Sequence, residues 1–91
     1  METIKKENNL FYVGDNAEHT LAEITFVPTG ADKIIIDHTY VSEALKGQGV
    51  GQKLVKKVVE YARQENKKII PLCPFAKGIM TKSNEYKDVL L

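Results

Sequence analysis

Cysteine occurs once in this chain of 91 residues, tryptophan not at all and proline three times. A lone Cys73 excludes an internal disulfide and leaves no set of thiolates to build a zinc site, so no metal is expected. No apolar run approaches the ~20 residues that cross a bilayer, and no membrane partner is expected. The opening Met1-Glu2-Thr3-Ile4-Lys5 lacks the basic-then-apolar order of a secretory leader. With a single thiol, a reducing cytoplasmic setting is the default expectation. An excess of one charge is missing too: 13 basic residues stand against 12 acidic ones, a net +1. General nucleic-acid binding usually needs a strongly basic surface, so no nucleic-acid partner is expected. The chain has no internal repeat, linker or low-complexity tract.

What is present fits a folded globular chain: 43% hydrophobic and 27% charged residues. This length has room for one core, so residues 1–91 are read as one domain. The charge is unevenly spread. Residues 1–43 carry three lysines against eight acids, a net −5, and residues 46–68 carry seven bases against two acids, a net +5. A basic middle beside an acidic front can take an anionic ligand at one place and a cationic one at another.

Leu10-Phe11-Tyr12-Val13 is a β-rich run closed by Gly14-Asp15-Asn16. From His19 to Val27, Ala22, Ile24 and Phe26 alternate with Glu23 and Thr25, the period of a half-buried strand. A turn at 28–32 leads to a third strand, Lys33 to Val41, and the short connections predict an antiparallel meander. Val50, Leu54, Val55, Val58, Val59 and Ala62 then recur at three- and four-residue steps, predicting an amphipathic helix from about Gly49 to Asn66. Residues 68–73 form a fourth strand, parallel to the third because a helix crosses over between them. Pro71 cannot donate to a ladder, which predicts an edge or a disrupted position. After Pro74 comes a stretch with helical character, then a weak segment over 84–91. The predicted class is α+β, one mixed sheet in β-β-β-α-β-α order.

The most informative stretch is Leu45-Lys46-Gly47-Gln48-Gly49-Val50-Gly51-Gln52-Lys53-Leu54, with three glycines at alternate positions between a strand and a helix. Glycine in a helix costs roughly 1 kcal/mol relative to alanine, so the spacing needs a reason. Without Cβ atoms, the N–H groups at a helix start can approach a phosphate closely, and the helix dipole and Lys46 favour an anion. The ATP-type P-loop fails because Leu54 follows Lys53, and the dinucleotide fingerprint fails because its third glycine comes one residue early.

Lys46-x-x-Gly49-x-Gly51 resembles the Gln/Arg-x-x-Gly-x-Gly/Ala signature of the GNAT acyltransferases, which bind acetyl-CoA. Lys46 keeps the charge of the usual Arg without its guanidinium fork. His38-Thr39-Tyr40-Val41 before the loop and Pro71-Leu72-Cys73-Pro74-Phe75 after it are similar to a short GNAT-like subfamily carrying a Pro-Leu-Cys-Pro segment. A glutamate is usual there at position 40. The likeness runs over about residues 10–90. It implies that backbone amides of Gly47, Gln48, Gly49, Val50 and Gly51 hold the pyrophosphate of CoA. It also implies that Val41 and Ser42 bond the pantetheine arm like an added strand. Full-length members are larger and have early helices that help to form the acceptor pocket.

Cys73 is the sharpest catalytic candidate. It ends a strand, and Pro74 suits the first position of a helix, so the thiol feels a positive dipole end that favours the thiolate. In a GNAT-like sheet the thioester lies between the two parallel strands, which implies that Cys73 stands close to the acyl group. It could protonate the departing CoA or accept the acetyl group itself. His38 is expected on a strand face with Ile34, Ile36 and Tyr40, either as a core residue or as a general base. Glu23 and Asp37 read as isolated solvated carboxylates, and Phe75 either as a core residue, the favoured reading, or as one that stacks or packs near CoA. Many family members use a tyrosine on the last helix as general acid; here that region holds Met80 and Thr81, and Tyr86 comes late. The resemblance therefore implies a transferase moving an acetyl group from acetyl-CoA to an amine of unknown identity. The alternative is an acetyl-CoA-binding module or sensor with little or no turnover.

Overall fold

Ala22, Ile24 and Phe26 alternate with less buried neighbours, as do Ile34 and Ile36, and these side chains are buried on one face of a single sheet. The computed structural model describes residues 3–91. Its strands are β1 (Lys5–Glu7), β2 (Leu10–Asn16), β3 (His19–Thr29), β4 (Lys33–Val41) and β5 (Lys68–Pro71), in the spatial order β1-β2-β3-β4-β5. The first four are antiparallel neighbours and β5 runs parallel to β4. The antiparallel meander and the parallel pair are as the sequence predicts, and β1 is additional. Its Lys5, Lys6 and Glu7 are all exposed, so this edge strand carries no hydrophobic period to read.

Helix α1 (Val50–Gln64) crosses over from β4 to β5 and buries Val50, Leu54, Val55, Val58, Val59 and Ala62. These pack on Phe11, Val13, Ala22, Ile24, Phe26, Ile34 and Ile36 of the sheet. The helix ends where Asn66 turns left-handed (φ 57°) and the Lys67 N–H reaches back to the Ala62 carbonyl at 2.8 Å. Helix α2 (Pro74–Lys82) has Pro74 in its first turn and adds Ala76 and Met80 to the same core. Arg63 binds both carboxylate oxygens of Asp88 (2.8 and 2.9 Å), and so ties the C-terminal segment to α1. Leu90 pairs with Ile69 on the outer side of β5.

Two irregularities in the sheet shape the site. The register of β3 against β4 slips between Thr25 and Phe26, which pair with His38 and Ile36, leaving Asp37 as the extra residue of a bulge. Side chains alternate along a strand, so the bulge exchanges the faces of residues 38–41. Thr39 and Val41 therefore lie opposite Ile24 and Ala22 on the core face. Second, β5 ends at Pro71, two residues before the predicted end. The N–H groups of Leu72 and Cys73 both reach the Ile36 carbonyl at 3.1 Å, and there the two parallel strands part.

Candidate functional site

The 3₁₀ turn at Glu43–Leu45 winds the chain out of β4 through three successive N–H donors: Leu45 to Ser42, Lys46 to Glu43 and Gln48 to Leu45. Gly47 (φ 83°) and Gly49 (φ 74°) then take left-handed backbone, open to glycine at little cost. The first N–H bond into α1 comes from Lys53, to Gly49. Among the described residues no protein oxygen accepts from the amides of Gly47, Gly49, Val50, Gly51 or Gln52. These are the orphan donors of a helix start, gathered at the positive end of its dipole. All five residues line one cleft of about 380 Å³, together with Thr39, Val41, Leu45, Lys46 and Phe75.

Two of the expected residues differ from this pattern. The Gln48 amide is taken by Leu45 and its side chain donates to the Ala44 carbonyl, so it offers no N–H to the cleft. The Ser42 amide donates to the Leu21 carbonyl at 2.8 Å, and its hydroxyl is buried with no partner among the described residues. Since the Ser42 N–H points to β3, alternation turns the N–H and carbonyl of Val41 toward the gap beside β5. Lys46 lines the cleft but its ammonium pairs with Glu43 at 2.8 Å, which raises its pKa and lowers that of Glu43.

Cys73 occupies the N-cap position of α2 and is buried. Its thiol donates to the Thr39 hydroxyl at 3.4 Å, across the gap where β4 and β5 part. Burial pushes the thiol up. The Thr39 hydroxyl, which turns to donate once the thiol ionises, and the nearby main-chain N–H groups of Ala76, Phe75 and Thr39 favour the thiolate and outweigh it, and the net shift is downward. Thr39 thus joins the cleft to the thiol. The sequence gives no sign of this, because Thr39 turns inward only through the bulge at Asp37. Such a group can deliver a proton to a leaving thiolate, or act as a nucleophile.

The expected position of His38 is corrected. The bulge turns it away from Ile34 and Ile36 onto the other face of the sheet, with its side chain 56% exposed. There its Nε2 lies 3.4 Å from Glu23, whose other carboxylate oxygen accepts from Thr20 at 2.7 Å. Asp37 accepts from Thr25 at 2.6 Å, so neither carboxylate is merely solvated. Phe75 is no core residue either: it is 46% exposed at the cleft. On α2, Met80 is fully buried and Thr81 bonds back to the Lys77 carbonyl. Tyr86 packs in the core near Arg63, by the end of α1 remote from the glycine loop, and burial raises its pKa.

The profile of the GCN5-related N-acetyl-transferase family matches residues 10–89. The chain belongs to this family. As a member of the GCN5-related N-acetyltransferases it is similar to a GCN5-like protein from Staphylococcus aureus, solved in solution. That protein is 52% identical over 98% of this chain and 87% of its own length, with a TM-score of 0.84. A GNAT family acetyltransferase from Elizabethkingia anophelis with acetyl-CoA bound superimposes at a TM-score of 0.57 and 21% identity, over 68% of this chain and 40% of its own. A Mycobacterium tuberculosis protein in complex with CoA gives 0.58 and 13%, over 88% and 62%. These two share the fold, and the chain spans less than two thirds of either. No match was found among curated proteins. No helix of the described residues is long and apolar enough to cross a membrane.

Proposed function

We propose that the chain is an acetyl-CoA-dependent N-acetyltransferase. The observation that carries this reading is that five amides with no acceptor among the described residues line one cleft, and that the same cleft reaches Thr39, whose hydroxyl touches Cys73. Backbone N–H groups at a helix start suit a pyrophosphate. The main-chain groups of Val41 suit the amides of a pantetheine arm laid along β4. The acetyl thioester then lies in the gap between β4 and β5, beside Cys73.

A primary amine attacks the thioester carbon from the other face of the sheet, and a C–N bond forms. A strand N–H at the gap stabilises the oxyanion. The C–S bond breaks, and CoA leaves as the thiolate and takes its proton from Cys73. A thiol held below the ordinary cysteine pKa is the stronger acid for that step. His38, next to Glu23 on the exposed face, accepts the proton that the amine nitrogen loses, directly or through water. Transfer runs directly from thioester to amine, with no acetyl-cysteine.

The test is thiol release from acetyl-CoA with a panel of primary amines, alongside mass spectrometry of the protein. Release depends on an amine, falls at least about 10²-fold in Cys73→Ala, and leaves no acetyl adduct on Cys73. Tight binding of acetyl-CoA with no amine-dependent release would overturn the transferase reading. A stable adduct on Cys73 would overturn the direct route.

A further inference from the structure

Gly51 lies in the first turn of α1, where its backbone is ordinary for a helix, so neither a turn nor a left-handed φ accounts for a glycine there. What accounts for it is Phe75. A Cβ on Gly51 would run into the far edge of the Phe75 ring, against Cζ and at 2.7 Å from Cε2. The ring therefore rests on the Cα of Gly51 and bridges the first turns of the two helices. It is half-exposed, and it is the one residue from α2 among those that line the cleft. It also stands two residues beyond Cys73. The ring thus lines the cleft that the loop amides also line.

We propose that Phe75 is a positioning residue for the thioester: its ring, seated on Gly51, forms the wall that holds the pantetheine arm against β4. This rests on the acyl-CoA reading above. Gly51 is a glycine because a Cβ would unseat the ring, and the two positions act on ligand binding as one unit.

A double-mutant cycle on acetyl-CoA affinity tests it. Phe75→Ala raises Kd about tenfold, the fold-change of a lost aromatic contact. Gly51→Ala alone raises it about threefold to tenfold. In the Phe75→Ala background Gly51→Ala adds less than about twofold, because no ring is left to displace. KM for acetyl-CoA follows Kd in each variant. Phe75→Leu, which keeps an apolar side chain at the cleft and loses the ring, falls between the parent and Phe75→Ala. Fully additive effects on Kd in a protein whose parent binds acetyl-CoA would overturn the proposal and leave the acyl-CoA reading intact. Coupling seen in thermal unfolding but not in Kd would overturn it likewise, since the contact would then be structural only. A parent that does not bind acetyl-CoA would overturn both.

Discussion

At the residue scale, Cys73 meets two opposed influences. Burial disfavours its thiolate, and a hydroxyl with three N–H groups favours it and prevails. The thiolate is the form that alkylating agents attack, so the midpoint of alkylation rate against pH is expected to lie below that of an ordinary cysteine. Thr39→Val removes one donor and leaves the burial, so the midpoint moves up and alkylation at neutral pH slows; an unchanged midpoint would refute the role given to Thr39. Glu43 offers a second residue-scale prediction. Its carboxylate neutralises Lys46 at the mouth of the cleft. Glu43→Gln therefore strengthens acetyl-CoA binding, by about twofold to fivefold at low salt and less at high salt as screening grows. Isothermal titration at two ionic strengths reads this. Cys73 and the three glycines were legible in the sequence because each is unusual where it stands: a thiol before a helix-starting proline, and glycines at a helix start. Thr39 was not, because a threonine in a strand is ordinary and nothing local says which way it points.

At the scale of elements, the bulge at Asp37 decides which side chains meet the cleft. Deleting Asp37 removes the extra residue, so Ile36 and His38 become neighbours in plain alternation that keeps His38 outward and Thr39 and Val41 inward. The deletion variant is expected to keep its acetyl-CoA affinity within about threefold with its sheet intact, since the strand still pairs in the same register. A loss of more than about tenfold, with the circular-dichroism spectrum retained, would contradict the geometry. The apolar stripe of α1 was readable residue by residue because periodicity reports a buried face directly. The bulge was not readable, since it arises from register between two strands, and neither was β1, whose charged residues bury nothing. Leu54 lies in the middle of that stripe and is fully buried. Leu54→Ala is expected to cost about 2–5 kcal/mol of stability in urea unfolding, and a loss under about 1 kcal/mol would mean that the helix packs elsewhere.

For the molecule as a whole, its radius of gyration of 12.4 Å is that of a tight globule of this length, about 12 Å, so one core carries both helices and the sheet. Both helices pack on one face of the sheet, and the other face carries His38, Glu23 and Tyr40 toward solvent. The glycine loop stands at the end of the sheet where β4 and β5 diverge, so the amides, the gap and the thiol follow one another along a single path. The claim on which this rests is that those amides bind the pyrophosphate of an acyl-CoA. The most direct measurement is an ¹H–¹⁵N NMR titration with acetyl-CoA, following the N–H signals of Gly47, Gly49, Val50, Gly51 and Gln52 together with that of Cys73. Saturable downfield shifts of the five loop amides, with Cys73 responding at the same ligand concentrations, are the predicted result. Shifts confined to other surfaces, or none at millimolar ligand, would contradict it.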